Sequence, residues 1–466
     1  MSTDLLLINP PFHKRHGSSS MFPMGLGYII SAIKAKGFSY TVIDCTQIIS
    51  SLYKEDLDVL SEELRQRLSQ YEPMLIGIGP CMTSGIKALK VIADVCQSMF
   101  DAERIFAGGP LVGIPQQEWV FFEYLGLKYI IKGYGEEAVA RALQTVKDGQ
   151  PLSKCAEVSR PGYLFYNHTG PIDTLAFPAR LYVDRTVVSE RRKASSGITL
   201  PMITSRGCPY HCNYCVSSSM SKQEHFCKRS TTNIVDEMEF LQNTYHVSDI
   251  IFYDDCFFYK VSSTNQEIKS FWDELSRRDI HMSWQMEVRV DWLTQINPDG
   301  VHMLEECGCR QINVGIEKTD PHGQEYLGKT FSVDALADAI QTVKRHSNIH
   351  VAGTFILGGS DEDRTDILKE IEESKKLGLD FAHFNPLFIY PGTRIYDQQF
   401  HGPHDWLDYI LEDVLPWGEI VYENHSIDRD TLIELTETAY RTFYAGTKYE
   451  AEEMVLDRFN LRRAYS

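Results

Sequence analysis

The stretch Ser205-Arg-Gly-Cys-Pro-Tyr-His-Cys-Asn-Tyr-Cys215 places Cys208, Cys212 and Cys215 in a C-x-x-x-C-x-x-C pattern directly after the apolar run PMITS, residues 201–205. A structural zinc site closes with four ligands, so three cysteines alone leave one coordination position open. Gly207 and Pro209 favour a loop over a helix. A ligand loop at the end of the strand that opens a strand–helix series sits where barrel active sites are built. The rival reading is part of a zinc knuckle with a distant fourth ligand.

Working outward, the apolar runs DIIFYDD, HMSWQMEV, RQINVGIE, HVAGTFILGG and DFAHFNPLFIY continue the series. Amphipathic segments such as VDALADAIQTVKRH separate them. Together with PMITS they make six βα units, which suit a partial (β/α)6 barrel over residues 196–395. Residues 396–466 read as a helical C-terminal region. Upstream, residues 1–150 alternate short apolar runs with helical periodicity. LLLI, YTVI, MLIGIG, RIFA and YIIK read as five buried strands. Leu26, Ile29, Ile30 and Ile33 keep helical spacing between the first two, and Gly37 stops that helix. The alternation predicts an α/β domain with a doubly wound parallel sheet. Residues 151–195 read as a connector. Ligands of such sheets bind beyond the carboxyl ends of the strands, and those ends are rich in Gly and Pro here. Glycine in several loops at one edge suggests a backbone brought close to a large ligand.

The bulk numbers fit this picture. The 466 residues are long enough for two or three domains, and 43% hydrophobic with 24% charged is ordinary for a globular chain. A net charge of −18 argues against a general binder of nucleic acid or membrane surfaces. No run of apolar residues is long enough to span a bilayer and the start lacks a signal-peptide pattern, so a cytoplasmic protein is expected. Eleven cysteines in a reducing compartment read as free thiols or metal ligands. The eight outside the loop (Cys45, Cys81, Cys96, Cys155, Cys227, Cys256, Cys307 and Cys309) read as small buried apolar residues.

Three thiolates can hold three irons of a 4Fe–4S cluster and leave the fourth iron free for a ligand. On this loop the sequence resembles the radical S-adenosylmethionine (SAM) superfamily. The resemblance implies that Cys208, Cys212 and Cys215 ligate the cluster, and that the free iron chelates the amino and carboxylate groups of SAM. Reduction then yields a 5′-deoxyadenosyl radical. It implies further that Tyr214 lies against the adenine, and that Asp254 and Asp255 in FYDDCFF meet the SAM amino group or position neighbouring side chains. Two adjacent carboxylates also fit a solvated turn or a magnesium site, but their place directly after the second barrel strand favours active-site work. Arg289 in MEVRVD, Glu317 in NVGIEK, Gly353 in GTFILGG and the PGT of residues 391–393 match family motifs on later strands, in order.

The N-terminal edge loops resemble those of cobalamin-binding domains in the cobalamin-dependent branch of the superfamily. The segments concerned are NPP after the first strand, PMGLGYI, GIGPCMT, GGP and GYGEE. The resemblance implies a corrinoid near Asn9, Pro10, Gly25, Gly79, Thr83, Gly108, Gly109, Gly133, Gly135 and Glu136. The lower-ligand motif Asp-x-His-x-x-Gly is absent, with Asn9 in the Asp place. His13 and His16 lie in the same loop, and the expectation is no protein histidine on cobalt. A dinucleotide site is the weaker alternative, because no G-x-G-x-x-G follows a strand. A methylthiotransferase would use Cys45, Cys81 and Cys96 for a second cluster, yet no cysteine follows the first strand. A non-catalytic cobalamin sensor has no use for the open-iron loop.

The resemblance thus implies an enzyme that methylates an unactivated carbon of a small-molecule substrate, or one that cyclises or rearranges a ring with the same cofactors. It also implies a flavodoxin- or ferredoxin-type electron donor, and neither nucleic acid nor membrane as partner.

Overall fold

The structure, a computed structural model, describes residues 1–11, 23–49, 52–114, 117–155, 158–160, 163–166, 172–181, 198–224, 226–359, 361–400, 403–412 and 423–447. His13 and His16 lie outside these residues. The chain forms two compact units, the first built mainly from residues up to Tyr182. Among the described residues, no helix is long and apolar enough to cross a membrane.

The first unit is organised on seven strands: β1 Ser2–Asn9, β2 Tyr40–Asp44, β3 Glu72–Ile78, β4 Ile105–Gly108, β5 Tyr129–Gly133, β6 Val158–Arg160 and β7 Tyr163–Tyr166. Their order is β2-β1-β3-β4-β5-β7-β6, parallel throughout except for the β6–β7 pair. Consecutive residues Leu5, Leu6, Leu7 and Ile8 are all buried, as a parallel strand covered on both faces requires. Helices Met24–Ala35 and Gly135–Lys147 pack on one face through Leu26, Ile30, Ile33, Val139 and Leu143. Helices Lys54–Leu68 and Ile86–Met99 pack together through Leu60, Leu64, Ile92 and Cys96. Right-handed crossovers place that pair on the opposite face. Strand order reverses between β1 and β3, so the carboxyl edge there is a topological switch point. The sequence reading found five of these strands. Residues 158–166, read as connector, add β7 and β6 beyond β5, too short for periodicity to reveal.

The edge glycines divide into two kinds. A Cβ on Gly109, at φ +124°, would stand 2.5 Å from Cys81 N and 2.9 Å from Pro80 Cα. One on Gly79 would stand 2.5 Å from Gly108 O. Here glycine serves the seam between the loops after β3 and β4, where Cys81 N–H donates to Gly108 O at 2.9 Å. At Gly135 the nearest atom is Ile29 Cδ1 at 3.3 Å, again protein. Gly25, by contrast, has nothing within 4 Å, and Gly108 meets only Ile131, at 3.8 Å. These two leave room beside the backbone. For Gly79, Gly109 and Gly135, packing within the protein explains the residue.

The second unit carries the partial barrel. Its sheet contains β8 Ile198–Met202, β11 Val247–Phe252, β12 Ser283–Arg289, β13 Cys309–Glu317, β14 His350–Leu357 and β15 Phe381–Pro386, all parallel, in the order β15-β14-β13-β12-β11-β8. A two-stranded ribbon, β9 Ser205–Arg206 with β10 Cys227–Lys228, follows β8. These are the six strands read from the sequence. Helix Arg429–Tyr444 covers the free edge of β15. Tyr440 Oη accepts from Phe384 N–H at 2.9 Å and donates to Phe384 O at 3.1 Å, and Tyr444 Oη does the same at Ala382. An open barrel exposes unpaired backbone at its last strand, and these phenols satisfy it.

Gly109→Ala is expected to lower stability by roughly 2 kcal/mol or more, because it combines a left-handed backbone with a clash. Gly108→Ala should melt as the parent does. Thermal unfolding of the two variants checks this, and equal melting would show that the seam does not depend on Gly109.

Candidate functional site

The cysteine loop is held at several points along its length, and backbone N–H groups of the loop reach Cys208 and Cys215. Gly207 turns it out of β9 at φ +74°. Asp254, at the end of β11 and 3% exposed, accepts from Thr204 N–H at 2.9 Å and from Ser205 Oγ–H at 2.5 Å. At the far end Asn213 caps helix Pro321–Leu327: its N–H donates to Leu327 O and its Nδ2 to Tyr326 O, both at 2.9 Å. Helix C-termini carry orphan carbonyls, so this cap satisfies the helix and fixes the loop together. Tyr210 Oη donates to Tyr259 O at 2.9 Å, and Ser218 Oγ to Cys215 O at 2.8 Å.

Cys208 is buried while Cys212 and Cys215 are half-buried. Burial pushes the Cys208 thiol up to about 11 and raises that of Cys215. Bound metal cations reverse that preference by supplying charge to the thiolates. Among the described residues no three His, Cys, Asp or Glu side chains converge on a single metal ion. The ligands of a cubane each bind a different iron and need no such convergence. Three cysteines on one loop, with neighbours bonded elsewhere, therefore suit a cluster better than a lone zinc.

The carboxyl ends of β11, β12 and β13 bring further side chains to the site. Arg289, last residue of β12, donates from Nη1 to Cys212 Sγ at 3.1 Å, and its guanidinium lies 3.9 Å from the centroid of the Tyr210 ring. Glu317 ends β13 with a left-handed backbone, φ +70°, which few non-glycine residues adopt. Its carboxylate takes Lys329 Nζ at 3.0 Å and hydrogen-bonds Tyr214. Burial first, and the Glu317 charge second, raise the Tyr214 phenol well above its ordinary value. A Cβ on Gly315 would stand 2.6 Å from Glu317 Oε1 and 2.7 Å from Lys329 Nζ, so this glycine leaves the room the pair occupies. Asp255 remains exposed, bonded to Ser217 Oγ at 2.9 Å.

Of the two roles expected for Asp254, contact with SAM or positioning of neighbouring side chains, its hydrogen bonds to Thr204 and Ser205 serve the second. At Gly353, on β14, a Cβ would stand 2.6 Å from Leu379 Cδ1 and 2.8 Å from Ile316 Cδ1, so the protein's own side chains pack closely against this glycine. Cys45, Cys81 and Cys96 are wholly buried thiols, the last two pushed up to about 12 by burial. That environment suits core residues, not ligands of a second cluster.

Sequence reasoning missed Asn213, Lys329, Asp291 and Glu287. The last was legible, because Gln285, Glu287 and Arg289 alternate along β12 with buried Trp284, Met286 and Val288. Glu287 accepts from Asn313 Nδ2 at 2.8 Å, and Gln311 Nε2 in turn donates to Asn313 Oδ1 at 2.6 Å. Burial lifts the Glu287 carboxyl to about 7.

In the first unit Asn9, Pro10, Thr83 and Glu136 are buried near the carboxyl ends of the strands, and Gly133 adopts φ +84° where β5 ends. Asn9 Nδ2 donates to Asp44 Oδ1 at 2.8 Å, which fixes the amide orientation. Its Oδ1 is buried with no donor among the described residues. An orphan acceptor beside the switch point, with open volume at Gly25 and Gly108, suits a large ligand bearing N–H groups, as the amide arms of a corrinoid do.

Glu287→Gln tests the barrel interior. The folded carboxyl titrates near 7 and the unfolded one near 4.3, so between them the native state holds a proton that the unfolded state has lost. Parent stability should therefore fall as pH rises through that window and level off above it. The glutamine variant should lack this slope and gain on the parent between pH 5 and 8, by on the order of 3 kcal/mol at most. Parallel unfolding curves at both pH values would contradict the assignment.

Residues 202–372 match the model of the radical SAM superfamily. An uncharacterized methyltransferase of Pyrococcus horikoshii is 25% identical over 459 residues, covering 95% of this chain and 93% of its own. The radical SAM methyltransferase TsrM of Kitasatospora setae, solved with cobalamin and a 4Fe–4S cluster, is similar at TM-score 0.64 and 17% identity over 85% of this chain and 77% of its own. The cobalamin-dependent SAM radical enzyme OxsB, solved with aqua-cobalamin, is similar at TM-score 0.59 and 14% identity over 97% of this chain and 63% of its own. Residues 202–372 are thus the part of the chain similar to the radical SAM superfamily, and the chain has the fold of the cobalamin-dependent radical SAM enzymes TsrM and OxsB.

Proposed function

We propose that the protein is a cobalamin-dependent radical SAM methyltransferase acting on an unactivated carbon of a small molecule. The observation that carries this is the Cys208–Cys215 loop, pinned by Asp254 and Asn213 with its three sulfurs held at the carboxyl ends of the barrel strands. Cys208, Cys212 and Cys215 hold the cluster. Tyr214, Glu317 and Asp255 surround SAM, with Lys329 fixing Glu317. Asn9 Oδ1 and the open faces of Gly25 and Gly108 receive the corrinoid.

When bound, the cluster would supply the electron that cleaves SAM and the corrinoid would supply a transferable methyl group; the protein supplies aim and shelter. A carbon without an acidic proton resists polar methylation, which is why a radical route is needed. A flavodoxin- or ferredoxin-type protein is the proposed electron source. The methyltransferase names of the Pyrococcus relative and of TsrM favour methyl transfer over ring chemistry.

Anaerobically reconstituted protein should carry about four irons and roughly one corrinoid per chain. Replacing Cys208, Cys212 and Cys215 together by Ala should abolish formation of 5′-deoxyadenosine. Gly108→Trp should lose the corrinoid and keep the iron. With its substrate, the enzyme should form 5′-deoxyadenosine and S-adenosylhomocysteine in equal amounts and move a deuterated methyl group from SAM to product. Product without label, formed without S-adenosylhomocysteine, would replace methyl transfer by cyclisation or rearrangement.

A further inference from the structure

Arg289 matches a family motif on the third barrel strand, and its side chain meets two residues of the cluster loop and Asp291. The guanidinium is set by three neighbours. Nη1 donates to Cys212 Sγ at 3.1 Å, Nε donates to Asp291 Oδ1 at 3.0 Å, and the plane faces Tyr210 at 3.9 Å. Arg289 is 17% exposed and Asp291 37%, so one charge is largely sheltered and its counter-charge is wetter. The planar fork of arginine lets it meet an acceptor and an aromatic face together, which lysine cannot reproduce. Asp291 also accepts from Trp292 N–H at 3.2 Å, so the backbone entering helix Val290–Leu293 orients the carboxylate.

A cationic N–H aimed at a ligand sulfur has a definite electronic consequence. Reduction adds negative charge to a cluster, and that charge spreads onto the ligand sulfurs. Hydrogen bonds to those sulfurs and nearby positive charge stabilise the reduced form and raise its potential. We propose that Arg289 is a positioning residue that sets the reduction potential of the cluster through Cys212, with Asp291 offsetting part of its charge. The proposal rests on the cluster assignment above. It gives Arg289 a task that precedes SAM binding: it holds the loop by Tyr210 and makes the cluster easier to reduce. It also gives Asp291, which no motif singled out, an opposing effect on the same quantity.

The test is a mediated redox titration of the reconstituted full chain, followed by electron paramagnetic resonance, with iron measured on each sample. At the potential where the parent is half reduced, Arg289→Met should show a reduced-to-oxidised ratio at least tenfold lower, a shift of about 59 mV for a one-electron couple. Arg289→Lys should fall between the two. Asp291→Asn should move the midpoint the opposite way, because it leaves the guanidinium uncompensated. A purely structural arginine would change iron content and not the midpoint. Arg289→Met with full iron and the parent midpoint would overturn the proposal. Should that variant fail to hold iron, an unchanged midpoint in Asp291→Asn would overturn it as well. A parent chain that takes up no cluster would instead sink the assignment on which the proposal stands.

Discussion

The point where the barrel's first strand becomes the cysteine loop is fixed by buried charge. Arg229, 6% exposed, pairs with Glu237, and its Nη1 and N–H donate to Ile203 O at 3.0 Å and Thr204 O at 2.8 Å. Asp254 grips the following residues from the other side through Thr204 N–H and Ser205 Oγ. Removing one member of a buried pair costs on the order of 3–5 kcal/mol, since the other charge is left unpaired. Such a base is expensive for stability alone. Its use is precision: a loop that must present three sulfurs in one arrangement cannot start from a frayed strand end.

From that base, each further element of the site is held by a group that has a second task. Asn213 caps a helix and fixes the loop. Lys329 pairs with Glu317 and occupies the space over Gly315. Tyr440 and Tyr444 close the open sheet edge that a partial barrel leaves at β15. Polar groups facing the barrel interior form connected sets (Asp249 with Arg310 and Gln285, then Gln311 with Asn313 and Glu287), so most of that interior is satisfied before any ligand arrives. Asn9 Oδ1 in the first unit is a buried acceptor without a donor among the described residues.

Much of this was legible in the sequence because its signals are local. Six apolar runs gave the six barrel strands, and three cysteines at short spacing announced the loop. Two kinds of information were not local. Whether a glycine faces a ligand or a neighbouring backbone depends on which loops touch, so Gly79 and Gly109 look like Gly25 and Gly108 in the sequence. Whether a carboxylate contacts a cofactor or braces a strand end depends on where its oxygens point, and Asp254 and Asp255 differ in this although adjacent. Strands β6 and β7 escaped notice because three or four residues carry too little pattern to outweigh their Gly- and Pro-rich surroundings.

The central claim is that the three-cysteine loop leaves one iron open for SAM. Electron–nuclear double resonance on the reduced protein, with SAM labelled by 15N at its amino group, tests it most directly. The account predicts a hyperfine coupling from that nitrogen to the cluster, present in the parent and absent before SAM is added. A reduced cluster whose spectrum is unchanged by saturating SAM, with no nitrogen coupling, would contradict it.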